Sequence, residues 1–278
     1  MKVAVLGVGL IGGSIGLAAR TRGQAHVSGW DPDPDTHARA RRAGAIDTAA
    51  SGVPDAVREA DVVFVATPVG ALASTIRTAL DAAGPDAIVT DVGSTKRVLA
   101  REIADPRFVG GHPLAGSELA GVENAKPDLF EGAVWYVTPE IAGHPELERL
   151  IASFGALAVP IEPEHHDRLM ASVSQLPHVL ANLLVAQALD GLEEDPLEGF
   201  AVGPSFRDAT RVAGAGSAIW TDIYMSNRDV LGTAIDELSE RLAQVRELLR
   251  AGDARALSAW NDRAREEREA LLTKADRR

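Results

Sequence analysis

Apolar positions along the chain follow two rhythms. Over roughly the first 160 residues, short runs of Val, Ile and Ala alternate with Ala-rich stretches, as in successive βαβ units whose parallel strands are buried on both faces. The predicted strands are Lys2–Leu6, His26–Trp30, Asp61–Ala66, Ala87–Thr90, Arg107–Val109, Ala133–Val137 and Ala156–Ile161. Their number and spacing predict an α/β fold, a Rossmann-type doubly wound sheet over residues 1–161. From about Glu162 the strand-like runs stop and apolar residues recur every three or four positions, so residues 162–278 are expected to form an all-helical second domain.

Within that second half, Ile235, Leu238, Leu242, Val245 and Leu249 draw one apolar seam along a long helix. The seam packs either within the chain or against a second copy, and a homodimer through the helical domain is the expected outcome. The stretch Gly191–Pro204 carries Gly, Pro and acidic residues and reads as an interhelical loop; the charge-rich tail from Asn261 reads as a solvated helix.

Composition narrows the function classes. Of 278 residues, 46% are apolar and 24% charged, enough for a substantial core. Forty acidic against 28 basic residues give a net charge of -12, which excludes a broad electrostatic footprint for nucleic acid. Any anionic ligand then needs a local Arg or Lys cluster. The lack of cysteine excludes disulfides, thiolate zinc sites and thiol catalysis, and no metal site is expected. The apolar start carries no leader-like cleavage pattern, and no later apolar run reads as long enough to span a membrane, so a cytoplasmic protein without membrane contact is expected.

The first chemical motif is Gly7-Val8-Gly9-Leu10-Ile11-Gly12, between a predicted strand and a predicted helix. In that setting Gly7 permits the tight turn, Gly9 lets a pyrophosphate approach the backbone, and Gly12 lets helix and strand pack closely. Free N–H groups at the helix start, including those around Gly13 and Ser14, are expected to face the phosphates. Asp31 follows nineteen positions after Gly12, at the end of the second predicted strand, where a carboxylate accepts from ribose hydroxyls and repels the extra phosphate of NADP. NAD is therefore the expected cofactor. The alternatives are an ordinary glycine-rich turn and, for Asp31, a simple turn residue before Pro32. Thr67-Pro68 and Asp91-Val92-Gly93-Ser94-Thr95-Lys96 follow later strands and line the nicotinamide half, unless Thr67 and Ser94 merely cap helices.

A second constellation suggests a reaction. Gly110-Gly111-His112-Pro113 follows a strand on the ligand side of the sheet, where an imidazole on a glycine-flanked turn can take a proton from a hydroxyl as hydride leaves its carbon. In the helical half, Ser174, His178 and Asn182 recur every four residues with Gln175 beside them, a polar stripe on a helix read as largely buried. Arg207 and Arg211 share a predicted helix face, with Asp208 placed to orient Arg211; the pair is either a carboxylate receptor or part of a structural ion pair.

Taken together, Gly7-x-Gly9-x-x-Gly12-Gly13-Ser14, Asp91-x-Gly93-Ser94-x-Lys96, Gly111-His112-Pro113-x-Ala115-Gly116-Ser117-Glu118, Leu176-Pro177-His178 and Phe206-Arg207-Asp208-x-Thr210-Arg211 resemble the prephenate/arogenate dehydrogenase family of tyrosine biosynthesis, from Met1 to about Trp220. The resemblance implies NAD-dependent oxidative decarboxylation of prephenate, or alternatively of arogenate. It further implies that His112 polarises the ring hydroxyl, that Ser94 supports both hydroxyl and histidine, and that Arg211 binds a substrate carboxylate. His178, Glu118 and Trp220 are implied to be substrate-side residues, and the chain to be the minimal form without a mutase or regulatory domain.

Two rivals remain at this level. Related NAD enzymes such as β-hydroxyacid dehydrogenases and imine reductases commonly use a catalytic Lys in the helical half, where this chain has only Lys274. A non-catalytic NAD-binding sensor would have no reason to assemble His112, His178 and Arg211.

Overall fold

The structure, a computed structural model, describes residues 1–116, 119–192 and 202–276. They fall into two compact units, Met1–Val230 and Leu231–Arg278.

The first unit is built on a six-stranded, all-parallel sheet of β1 (Lys2–Leu6), β2 (His26–Trp30), β3 (Thr48–Ala49), β4 (Val62–Val65), β5 (Ile88–Asp91) and β6 (Phe108–Val109), in the order β3-β2-β1-β4-β5-β6. This is the doubly wound order, with its switch point between β1 and β4. Crossovers run through α1 (Leu10–Thr21), α2 (Pro34–Arg42), α3 (Val53–Val57), α4 (Val69–Ala82) and α5 (Arg97–Glu102). Because successive strand side chains point to opposite faces, β1 divides between two cores. Val3 and Val5 join Ile15, Phe64 and Trp135 on one side, while Ala4 and Leu6 join Leu72, Ile76 and Leu99 on the other.

The expectation of one sheet needs correction. β7 (Gly111–Pro113), β8 (Val134–Val137) and β9 (Leu157–Pro160) form a second, three-stranded sheet, in which β7 is antiparallel to β8 and β9 parallel to it. The chain changes sheets at Gly110, whose N–H donates to Thr138 Oγ1 at 3.0 Å and whose carbonyl accepts the Thr138 N–H at 2.8 Å. Alternation of apolar residues reveals a strand but not which sheet it joins. β3 and β7, two and three residues long, are too short to leave a periodic signal.

After α6 (Pro145–Ser153) and β9, the described chain is helical. α7 (Pro163–Met170), a π-helical turn (Ala171–Gln175) and α8 (Leu176–Leu192) follow one another directly. The stretch Pro163–Asp190 is long and apolar enough, by length and composition, to cross a membrane, and 28% of its most apolar window is buried. This corrects the sequence reading: polar residues such as Gln175, His178 and Asn182 break up the run, yet its average hydropathy stays high enough for a span. The π-turn also corrects the polar stripe. Its extra residue shifts the helical phase by about 100°, which parts exposed Ser174 from buried Gln175 and His178; Asn182, on α8 itself, is also exposed, as are Leu183, Leu184 and Leu189. Most of the segment expected as a loop, Gly191–Pro204, lies outside the described residues. α9 (Pro204–Thr210) and α10 (Ser217–Ser226) complete the unit, with the start of α11 (Arg228–Ala251).

The second unit holds the rest of α11 and α12 (Ala254–Asp276). They are joined through Gly252, at a positive φ of 62°, and Asp253, whose carboxylate accepts the Ala256 N–H at 2.9 Å. Among the described residues the apolar seam is only partly covered: Ile235, Leu242 and Leu249 are exposed, and Leu238 and Val245 are half-buried.

Candidate active site

The carboxyl ends of β1, β2, β4 and β5 place Gly7, Asp31, Thr67 and Asp91 along one edge of the parallel sheet. Gly7 takes a φ of 93° and its N–H donates to the Trp30 carbonyl at 2.8 Å, so the turn is anchored to the end of β2. Asp31 adds a second anchor, accepting the Val8 N–H at 2.8 Å on one oxygen and the Asp33 N–H at 3.0 Å on the other. Lone pairs remain on both oxygens for ribose hydroxyls. The N–H groups of Leu10, Ile11 and Gly12 belong to the first turn of α1 and have no intrahelical acceptor.

Two expectations shift here. The Gly13 N–H is paired with the Gly9 carbonyl at 2.9 Å, so it does not face a ligand. Ser14 is fully buried; its hydroxyl donates to the Leu10 carbonyl at 2.8 Å and accepts the Lys126 N–H at 3.0 Å, which fastens the β7–β8 connection onto α1. Thr67 caps nothing: Pro68 occupies the N-cap of α4, and the buried Thr67 Oγ1 has no hydrogen-bond partner. An orphaned hydroxyl just past a strand end, next to Gly7, and an open Gly9 with no atom within 4 Å of a Cβ position fit a bound dinucleotide.

His112 lies in the middle of β7, opposite Tyr136, and not on a turn. Strand pairing fixes its backbone, and the chain is held against the end of β5 by the Gly111 N–H donating to Asp91 Oδ1 at 3.0 Å. The other Asp91 oxygen accepts the Gly93 N–H at 2.8 Å and pairs with Lys96 Nζ, both side chains being buried. Burial pushes the Lys96 ammonium below its usual pKa, against the pull of Asp91. His112 is half-buried, with Nδ1 2.9 Å from His166 Nε2. His166, fully buried, brings Nδ1 to 2.7 Å from Asp167 Oδ1. The Asp167 carboxylate also accepts the Lys96 and Arg97 N–H groups, at 2.8 and 3.0 Å, at the start of α5. Burial, then the neighbouring His166 and then Lys96, hold the His112 pKa well below the ordinary histidine value. Burial likewise lowers that of His166, against its bond to Asp167. Both imidazoles are neutral near pH 7.

Farther along the helical segment, His178 stacks on Trp220 with ring centroids 3.7 Å apart and planes 8° from parallel. Its Nδ1 bonds the Tyr224 hydroxyl, and burial lowers its pKa. Asn227, at the end of α10, is buried and donates to the Asp167 carbonyl at 2.9 Å and to Gln175 Oε1 at 3.0 Å, docking α10 on the π-turn. Arg207 and Arg211 are both exposed, but they do not share one helix: α9 stops at Thr210, whose hydroxyl bonds back to the Phe206 carbonyl at 2.6 Å, and Arg211 opens a 3-10 turn. Ser94 is half-buried and its hydroxyl bonds no described residue; His112 Nδ1 is taken by His166. Glu118 lies outside the described residues.

The sequence reading missed His166, Asp167 and Tyr224. Glu164-His165-His166-Asp167-Arg168 reads as the polar start of a helix, and nothing local distinguishes its buried members.

A doubly wound sheet with a glycine turn, a ribose-ready carboxylate and a neutral imidazole on the ligand side defines a dinucleotide-dependent dehydrogenase. Comparison with known proteins agrees in detail. The family model described as prephenate dehydrogenase, nucleotide-binding domain, matches residues 15–159, and that described as prephenate dehydrogenase, dimerization domain, matches residues 162–262. Prephenate dehydrogenase of Bacillus subtilis is 35% identical over 98% of this chain and 76% of its own length. Cyclohexadienyl dehydrogenase of Zymomonas mobilis is 31% identical over 99% and 97%. The crystal structure of prephenate dehydrogenase from A. aeolicus in complex with hydroxyphenyl propionate and NAD+ superimposes with a TM-score of 0.88 at 28% identity, covering 98% of each chain. The chain belongs to the prephenate dehydrogenase family.

Proposed function

We propose that this protein catalyses the NAD-dependent oxidative decarboxylation of prephenate to 4-hydroxyphenylpyruvate, a step of tyrosine biosynthesis. One observation carries the chemistry: a neutral His112 whose Nδ1 is bound to His166, leaving Nε2 as the free nitrogen, in a chain whose two family matches run from residue 15 in α1 to residue 262 in α12. Bound NAD supplies the hydride acceptor. His112 Nε2 takes the ring-hydroxyl proton as the carbinol C–H leaves as hydride. Loss of the ring carboxylate as carbon dioxide then leaves its bonding pair in the ring, and the ring oxygen recovers the proton from His112 as the ring becomes aromatic.

The remaining roles follow from position and chemistry. Gly7, Gly9 and the N–H groups of Leu10, Ile11 and Gly12 receive the pyrophosphate, Asp31 the adenosine ribose, and Thr67 with Pro68 the nicotinamide half. Ser94 bonds the substrate hydroxyl. Arg211 grips a carboxylate, with Arg207 adding positive charge nearby. His178 and Trp220 form one stacked wall, and Glu118, outside the described residues, keeps the acidic gating role that the family resemblance implies. The functional division falls between residues 161 and 162, supported by the ranges of the two family matches. A homodimer through the helical region is supported by the exposed apolar residues of α8 and α11 and by the family's dimerization domain. A cytoplasmic site of action follows from dependence on the NAD pool there.

The direct test supplies purified protein with prephenate or arogenate, each with NAD or NADP, and follows reduced nicotinamide by absorbance. Turnover of prephenate with NAD is expected to exceed the other three; preference for arogenate, or no turnover with either substrate, overturns the reading. Arg211→Ala is expected to raise the KM for prephenate by about ten- to a hundredfold, the value of a charge-assisted pair of roughly 1.5–3 kcal/mol, with a smaller change in kcat. An unchanged KM removes Arg211 from the site. The pH profile carries its own sign. The base must be unprotonated and its pKa is depressed, so kcat/KM should hold as pH falls through about 6.5 and decline only at lower pH. An acid limb centred above 6.5 would contradict the burial of His112.

A further inference from the structure

We propose that His166 and Asp167 are positioning residues for His112: an Asp167–His166 pair built into the fold holds the base in the one tautomer whose Nε2 is free to accept a proton. The inference rests on His112 being the base and extends that reading to residues that touch no ligand.

Counting protons along the chain of bonds gives a single solution. Asp167 is a carboxylate that already accepts the Lys96 and Arg97 N–H groups, so it has no proton to offer and the His166 Nδ1 beside it must carry one. His166 is neutral, which leaves its Nε2 bare. At 2.9 Å that atom can only accept, so His112 Nδ1 carries the proton and donates it. His112 is itself neutral, and its Nε2 is left as a lone pair. Reversing any one link moves a proton onto His112 Nε2 and removes the base.

The pair is also rigidly seated. His166 is fully buried, edge-on to Tyr136 and to His112, with ring centroids 5.7 and 5.1 Å away. Asp167 is held at its carboxylate by the start of α5 and at its carbonyl by Asn227. The charged and titratable groups facing His112 are thus His166 and Asp167 from α7, Asp91 from the end of β5, Lys96 from the β5–α5 connection, and Tyr136 from β8. Lys96 disfavours a cation on His112, whereas Asp167, through His166, supports the imidazolium that forms when Nε2 takes the hydroxyl proton. The proton stays on His112 until the ring oxygen reclaims it; none passes to Asp167.

The test separates hydrogen bonding from packing. His166→Phe keeps a buried ring but offers no acceptor, whereas His166→Gln loses the ring but can place a carbonyl oxygen near the position of Nε2. The expected order of kcat is wild type, then His166→Gln, then His166→Phe, with at least about a tenfold fall for the last and NAD affinity unchanged in all three. A packing role predicts that Phe outperforms Gln, and that ranking overturns the proposal. Nitrogen-15 NMR of histidine gives a second reading that survives loss of activity. His112 is expected as the Nδ1–H tautomer in the wild type and as the Nε2–H tautomer in Asp167→Asn; an Nε2–H tautomer in the wild type refutes the arrangement. If His112→Asn keeps its turnover, the reading of the base fails. If His112→Asn is inactive while both His166 variants match the wild type in kcat and pH profile, only the positioning role fails.

Discussion

His112→Asn is expected to lower kcat by about 10²- to 10⁴-fold, the usual contribution of a positioned acid–base group, and to leave the Kd for NAD unchanged. The separation follows from the architecture. The proposed dinucleotide cradle comprises the glycine turn after β1, the end of β2 and the connection after β4, whereas His112 sits on β7 in the second sheet. Asn is small enough to stand opposite Tyr136 without disturbing the β7–β8 pairing, and its amide nitrogen can still donate to His166 Nε2, so the seating of β7 survives. What disappears is the basic Nε2. Single-turnover measurement of reduced nicotinamide, beside NAD titration of protein fluorescence, checks both halves. A kcat within about tenfold of the wild type removes His112 as the base, and a large loss of NAD affinity moves it from the substrate to the cofactor.

How much of this was legible beforehand depends on the range over which each signal acts. β1 and β4 are legible to within a residue or so because strands buried on both faces are continuous apolar runs, and the glycine turn is legible because each of its roles is set by its immediate neighbours. Ser14 shows the limit of such reasoning. Its place in the motif suggests a ligand contact, but the β7–β8 connection, more than a hundred residues later in the chain, takes its hydroxyl. The break in the polar stripe between Ser174 and His178 is not legible because a π-turn is a response to packing, here the docking of Asn227 on Gln175 and Asp167, and leaves no periodic trace. His166 stayed hidden for the same reason: an imidazole 54 positions from its partner is recognisable only once α7 is laid against the second sheet.

Glycine spacing also conceals two different requirements, and Gly9 and Gly12 separate them. A Cβ added at Gly12 would stand 1.9 Å from the Gly7 carbonyl oxygen and 3.0 Å from Val5 Cγ1. The carbonyl has little room to retreat, because Gly7 and Val8 are anchored to Trp30, the last residue of β2, and to Asp31 just after it. Gly12→Ala must therefore push α1 off β1 or break the turn. Overpacking of this kind costs about 1–3 kcal/mol, a fall in Tm of roughly 2–4 °C for each kcal/mol in a chain of this size. NAD affinity should fall at least tenfold as well, because the N–H groups of Leu10 to Gly12 move with the helix, and a fall of that size corresponds to about 1.4 kcal/mol of binding. At Gly9 a Cβ meets no protein atom within 4 Å, so Gly9→Ala should keep the wild-type Tm while losing NAD, its methyl group occupying the space into which the pyrophosphate settles. Thermal melts with and without NAD distinguish the two. Gly12→Ala should melt early in both conditions, and Gly9→Ala should match the wild type until the cofactor is added, when only the wild type gains stability. If Gly12→Ala retains both Tm and Kd, the helix and the turn are not in the contact described; if Gly9→Ala binds NAD normally, the pyrophosphate lies elsewhere.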